Sequence, residues 1–409
     1  MGKGIYLGVN GAARKMKRAY IGVDGRARKV KKIYVGVEGK ARLCYSAGLE
    51  KAGNQYGLAD ELASYRYGLA AATVGNHALF AGGYGSPSGE SDSRRDTVDA
   101  YDTSLTHTMP TALSTPRYDL AGISFGNYAL FGGGQGGANC HVVDVYDTAL
   151  TRSRPGSYLQ QARHDLAGTA CGSYALFGGG HNVTLTSNSS YKSWAVTPYN
   201  NVEAYNTSLS RQTTSLSQAR GGLAAAAVGG YMLFAGGDSY ATPNGVHQVS
   251  NYQPRTPSAV VDAFNASLTR TTATSLSVAR YDLAATTIGG YALFGGGNTS
   301  TGGKNAPAAS AVVDVYNASL TRTTATALSG ARYELAATTV GDYALFGGGY
   351  NTSNWGTVDV YDTSLTRTTG PNLFTERHCL AATTVGDFAL FGGGILNTTM
   401  DNSVDVYTA

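Results

Sequence analysis

The sequence predicts an all-β repeat array, and three observations lead there. One apolar, glycine-terminated phrase, RYDLAATTIGGYALFGGG at 280–297, returns in close copies along most of the chain. Each copy breaks into short apolar runs between turn signals, which is how buried strands read. Charged residues are only 14% of the 409, against 55 Gly and 28 Tyr, while 42% apolar content still supports a buried core. That texture suits a β-rich protein facing an outside environment.

The chain opens with a different repeat, of 14 residues: KGIYLGVNGAARKM, KRAYIGVDGRARKV and KKIYVGVEGKARL over 3–43. Tyr6, Tyr20 and Tyr34 keep register, as do Arg14, Arg28 and Arg42. Asn10-Gly11 and Asp24-Gly25 are two-residue turn signals, so each copy is expected to be a β-hairpin with an apolar strand and a basic return. Residues 1–46 hold twelve Lys/Arg and two acids, or +10, whereas the remainder carries −6. The split predicts two modules, 1–46 and 47–409, with different partners. So short a basic module makes a poor core alone and calls for a partner or self-association. Its cations suit docking onto a larger assembly, a solvated face or, less well for want of a recognised motif, nucleic-acid phosphates.

The main repeat is paced by an arginine: Arg66, Arg117, Arg163, Arg220, Arg280, Arg332 and Arg377, at spacings of 45 to 60 residues. Periods near 50 point to a propeller or similar array. Within a unit, LAATTI and YALFGG read as strands buried on both faces, joined by a glycine turn. The glycine pair after ALF, such as Gly296-Gly297, marks a place where another backbone passes too closely for a Cβ. VDVY alternates and is expected further out, with SLTRTT as the exposed edge. The seventh unit stops at VDVYTA, whereas 49–66 reads as an unattached fourth strand. That stretch is expected to complete the last sheet and close the ring.

The order of apolar tetrad, Gly-Gly, Val-x-x-Tyr-Asp and Ala-Arg over 47–409 resembles the kelch repeat of β-propellers. The resemblance implies seven blades, with the first strand of each lining a central channel and the arginines ringing one mouth. The place of the usual kelch tryptophan holds Thr108, Ser153, Gln212, Thr271, Thr323 and Thr368. The 14-residue leader resembles short repeats in structural proteins of phages and prophages of Gram-positive bacteria, which implies docking to a virion.

No catalytic motif stands out. GGGQGG at 132–137 lacks the Lys-Ser/Thr of a phosphate loop. The seven histidines (77, 107, 141, 164, 181, 247 and 378) show no ligand spacing, nor do Cys44, Cys140, Cys171 and Cys379. No metal or cofactor is therefore expected. The arginines are often followed two residues on by an acid (Asp119, Asp165, Asp282, Glu334), and pairing between the two is the expectation, with anion or sugar-acid capture by Arg66, Arg220 and Arg377 as the alternative. The long loops of units three and four gather Tyr191, Trp194, Tyr199, Tyr240, His247, Tyr252 and Arg255 among small polar residues, and Trp355 sits in the sixth. Such loops suit sugar rings or a protein surface, although they also read as tolerated insertions. No run approaches a membrane span of about 18 residues, and MGKGIYLGVNGAARK has no signal-peptide core. The expectation is a non-enzymatic virion protein, released by lysis, that binds a host glycan or envelope protein. The alternative is a sugar-acid-modifying enzyme at the arginine-ringed mouth.

Overall fold

The computed structural model describes residues 6–9, 12–15, 20–23, 26–29, 32–37, 40–46, 49–53, 57–86, 93–136, 140–187, 192–240, 254–302 and 308–409. Up to residue 46, and at 86, 185–187 and 192–194, it describes the backbone alone. Every regular element among the described residues is a strand. Contacts divide the chain into two compact modules, Met1–Glu50 with Ala409, and Lys51–Thr408.

The first module holds three antiparallel hairpins, each a separate two-stranded sheet. Tyr6–Val9 pairs with Ala12–Lys15, Tyr20–Val23 with Arg26–Lys29, and Lys32–Val37 with Lys40–Ser46. Arg14, Arg28 and Arg42 stand opposite Leu7, Ile21 and Val35, so the sequence repeat is also a repeat of register. Tyr6, Tyr20 and Tyr34 keep that register, opposite Lys15, Lys29 and Leu43, and in the third hairpin a bulge shifts the ladder only beyond Tyr34, at Ile33. The turns at Asn10-Gly11 and Asp24-Gly25 lie outside the described residues.

The second module is propeller-like: among the described residues it has six four-stranded antiparallel sheets and one five-stranded sheet, a three-stranded ribbon, and two-stranded ribbons inserted in the chain between the second and third strands of their units. The fifth unit shows the pattern. Ala284–Ile288, Tyr291–Gly295, Val313–Tyr316 and Arg322–Thr324 lie side by side in chain order. Period-two alternation sends successive side chains to opposite faces. Ala292 and Phe294 therefore pack with the fourth unit, and Leu293 with Val313 and Val315 packs against the sixth. The core is the set of layers between neighbouring sheets, which is why ALF is apolar at every position. The third strand, expected further out, is buried along its whole length, Asp314 included.

The triple glycine closing that phrase has three distinct uses. A Cβ on Gly295 would meet the Phe346 ring of the next unit at 2.8 Å. Gly296 has φ 71°, and a Cβ there would lie 2.6 Å from the Arg332 carbonyl. Gly297 then donates its N–H to that carbonyl at 2.9 Å. Adjacent units are thus tied by backbone where side chains are excluded. The first strands touch in chain order through the units, and Ala381–Val385 touches Ala70–Val74. The last sheet takes its edge from far along the chain. Ala52 N donates to Val406 O (2.9 Å), Ala59 N to Val404 O (2.9 Å) and Leu62 N to Asn402 O (2.8 Å).

The arginines do not line a mouth, and the acids two residues on are not their partners. All seven are 0 or 1% exposed. Each pairs with the acid of its unit's third strand: Arg66 with Asp99, Arg117 with Asp144, Arg163 with Glu203, Arg220 with Asp262, Arg280 with Asp314, Arg332 with Asp359 and Arg377 with Asp405. Arg332 is typical, with Nη2 at 2.8 Å from Asp359 Oδ2 and 3.2 Å from the Phe346 carbonyl. Asp359 also accepts from Ser329 Oγ (3.0 Å) and Arg367 Nη1 (2.8 Å). A desolvated guanidinium needs a counter-charge and acceptors that are buried with it, and the third strand supplies a fully buried carboxylate where the acid in the next turn is half-exposed. Arg66, Arg220 and Arg377 are therefore not free to capture an anion.

Three outcomes follow from this packing. Asp359→Ala leaves Arg332 buried and unpaired, so denaturant unfolding should show a loss of about 3–5 kcal/mol. Gly348→Ala, with φ 69° and the Arg377 carbonyl 2.6 Å from the new Cβ, should cost more than Gly126→Ala, where nothing lies within 4 Å. The excess over the ~1–2 kcal/mol of left-handed strain is the clash. The third concerns acid. Burial pushes Asp99 up, but the His107 hydrogen bond and the Arg66 charge win and hold it below its ordinary value. Asp401 is also held down, by Arg377, Ser403 and Thr375 against burial. Groups depressed in the folded state stabilise it fully above their unfolded pKa of about 3.9, and lose that contribution as pH falls through the folded value. Unfolding free energy measured from pH 5 to pH 2 should decline over that lower range.

Candidate functional site

The residues two positions after the arginines form the centre of one face. Asp119 N donates to Gly68 O (2.7 Å), Asp165 N to Asp119 O (3.1 Å), Gly222 N to Asp165 O (2.9 Å) and Asp282 N to Gly222 O (2.8 Å). Glu334 N, Cys379 N and Gly68 N continue to Asp282 O, Glu334 O and Cys379 O, each at 3.0 Å, which returns the series to its start. Every member has φ between 51° and 62°. Gly and Asp accept that backbone readily, whereas Glu and Cys are strained in it. The glycines also make room, since a Cβ on Gly68 would lie 2.6 Å from Asp119 Oδ1 and one on Gly222 2.8 Å from Asp282 Oδ1.

This crown gathers four carboxylates and a thiol. Desolvation raises Asp119, and the charges of Asp165, Glu334 and Asp282 raise it further. Asp282 is raised by burial and by Glu334, despite Arg255. Burial raises Glu334, and burial with Glu334 raises the Cys379 thiol. Asp165 goes the other way, because His164 and His181 overcome its burial.

Aromatic and imidazole rings surround the crown. They come from two positions of the repeat, the residue after the arginine (a ring in every unit but the fourth, which has Gly221) and the residue after the glycine pair (Tyr84, His181 and Tyr350). These two positions bridge each other at Tyr118 and Gln135, His164 and His181, Tyr281 and Asn298, Tyr333 and Tyr350, and His378 and Ile395. Ring contacts run Tyr67 to Tyr84 (5.8 Å), Tyr84 to Tyr118 (5.1 Å), His164 to His181 (4.4 Å) and Tyr350 to His378 (5.1 Å). Elsewhere in the module, a cavity of roughly 430 Å³ is lined by the first strands of all the units. Its walls are uncharged, with Thr286 bonded to Thr339 and Thr338 to Thr384.

Of the residues expected in loops, Tyr240 and Arg255 reach the crown. The Arg255 guanidinium lies over the rings of Tyr240 (5.4 Å) and Tyr281 (4.7 Å), 3.5 Å from Asp238 and 3.8 Å from Asp282. Those carboxylates outweigh its burial and raise its pKa. Tyr199 is half-buried, and its backbone links Gly180 O to Arg220 N. Trp194 lies in the strand Lys192–Pro198, opposite Leu185 of His181–Ser187, so the third-unit loop is a two-stranded ribbon. Trp355 is half-buried over the Arg332 guanidinium at 5.6 Å, packed where a Cβ on Gly330 would strike it. It covers an internal ion pair. Tyr191, His247 and Tyr252 lie outside the described residues.

The sequence reading missed His164, His181, Asp238 and the crown tyrosines. The signal was present: the residue after each glycine pair changes from unit to unit (Tyr84, Gln135, His181, Asp238, Asn298, Tyr350, Ile395) while its neighbours stay fixed. No protein-family model and no curated protein matches the chain.

Asp282→Asn keeps the shape and tolerates the left-handed backbone. A carboxyl raised on folding binds more protons in the native state, so charging it costs stability as pH rises. The variant should gain stability over the parent at pH 8 and lose that advantage at pH 5, as read by chemical denaturation.

Proposed function

We propose that the chain is a non-enzymatic binding protein, a seven-bladed kelch-like propeller whose crown face takes a glycan or a protein surface. The observation that carries this reading is the combination on one face of carboxylates with surrounding aromatic rings. Rings stack on the apolar faces of sugars or anchor a protein contact, and carboxylates accept paired hydroxyls. The returning series of backbone hydrogen bonds and the edge shared by residues 52–62 and 402–406 support the closed, bladed ring. The repeat charges on which sugar-acid capture would rest are internal ion pairs, which favours the binding reading over that alternative.

The basic hairpin module is the anchor. Its strict register of Tyr6, Tyr20, Tyr34 and Arg14, Arg28, Arg42, together with its +10 charge, suits docking to an acidic assembly. We assign that assembly to a phage virion, tail or capsid, on the resemblance of the 14-residue repeat, with the propeller turned outward to the host surface after lysis.

The full-length chain should bind a subset of a glycan array or bacterial cells. Tyr118→Ala and Tyr350→Ala should each weaken binding by about tenfold, the ~1.4 kcal/mol order of an aromatic anchor. Changing Arg14, Arg28 and Arg42 to Glu should remove the protein from purified particles and leave cell binding intact. A well-folded chain silent on glycans and cells would sink the crown reading, and copurification untouched by the charge reversal would sink the anchor.

A further inference from the structure

We infer that the third unit holds a divalent transition-metal ion at His164, Asp165 and His181. The site is built by the fold. His164 follows Arg163 and His181 follows the glycine pair, and the two exchange backbone hydrogen bonds of 2.9 Å in both directions. Their rings meet at 4.4 Å and each puts one nitrogen, Nδ1 of His164 and Nε2 of His181, 3.0 Å from Asp165 Oδ2. The three donor atoms lie within 4.8 Å of one another. Ligands at about 2.0–2.2 Å around a tetrahedral ion are separated by roughly 3.3 Å, so each 3.0 Å histidine–Asp165 separation needs only a few tenths of an ångström to admit the ion in place of the shared protons.

Buried groups that make no hydrogen bond support the same site, Asp238 among them although its carboxylate faces Arg255 at 3.5 Å. The histidines are 6 and 5% exposed and Asp238 is 1% exposed. Nε2 of His164, Nδ1 of His181 and both oxygens of Asp238 have no hydrogen-bond partner. Gly221 stands where other units carry Tyr or His, and a Cβ there would run into His181 Nδ1. Gly221 is the ladder neighbour of Asp238. With the ion on Nε2, the proton of His181 resides on Nδ1 and Asp238 is the nearby carboxylate to receive it, the outer arrangement that orients metal-bound imidazoles. Two imidazoles and one carboxylate select the zinc, copper, nickel and cobalt class over calcium or magnesium. Asp165 is a third exposed, so the ion keeps a position open to the crown face. The Glu334, His378 and Cys379 cluster is looser: His378 Nε2 is 3.7 Å from Glu334, and Nδ1 is held by Asn354 at 2.6 Å.

The test is Co2+ titration of the full-length chain, followed by visible absorption and displacement by Zn2+. The expected result is a ligand-field band saturating at one equivalent, abolished by Asp165→Asn and by His181→Ala and retained in His378→Ala. Asp238→Asn should weaken binding by ~10–100-fold. If His181→Ala fails to fold, Asp165→Asn decides, because Asn fits the left-handed backbone at 165. No band in the parent, a band that survives Asp165→Asn, or a band lost in His378→Ala overturns the inference. This inference is independent of glycan binding.

Discussion

The interaction on which the rest of the molecule depends is the buried guanidinium–carboxylate pair of each repeat. An arginine withdrawn from water is costly unless its charge and its donors are met together. The two terminal nitrogens of Arg332 are met by Asp359 on the third strand, the Phe346 carbonyl on the second and the Gly330 carbonyl in the approaching segment. Those acceptors coincide only when the strands are in one register, and a slip of one residue would turn Asp359 to the opposite face. The pair therefore selects the register that the interchangeable apolar residues leave loosely specified. With the arginine side chain drawn into the sheet, the next residue bridges to the position after the glycine pair. The one after that turns into the left-handed backbone of the crown.

Much of this was legible in the sequence. Strand-length runs and glycine pairs located the strands because period-two burial on both faces leaves no polar position in ALF. The hairpins of residues 6–46 followed from turn residues between alternating strands. The arginine partners were misjudged because Asp119, Asp165, Asp282 and Glu334 are near in sequence, whereas Asp144 and Asp359 lie 27 residues away from Arg117 and Arg332 in a motif that reads as ordinary alternation. Nearness along the chain is a poor guide when an extended turn separates two neighbours and a sheet joins two distant strands. His164 and His181 escaped notice for the same reason, being 17 residues apart yet paired by a ladder.

The repeats divide labour between fixed and variable positions. Arginine and third-strand acid differ little because each is buried against the other, and the glycine pair and ALF because they meet the neighbouring unit. The residue after the arginine, the residue two on and the residue after the glycine pair point onto one face and carry tyrosine, histidine, aspartate, glutamate, glycine or cysteine in different combinations. The scaffold thus presents an irregular surface from a nearly regular sequence, and substitutions there alter chemistry without disturbing the layers between sheets. The half-buried Trp355 shows the converse: a residue conspicuous in sequence can be spent on covering an ion pair.

The edge that residues 52–62 give to the last sheet also sets how the molecule can form. Lys51 meets Asp405 across 354 residues, a loop whose closure costs roughly 5 kcal/mol of chain entropy. The earlier sheets pair locally and can assemble as they are synthesised, but this contact waits for nearly the whole chain. Until then the early segment has no partner strand and the first sheet exposes one apolar layer. Folding should therefore be slow at its final step, and the incomplete array is the species most open to association between chains.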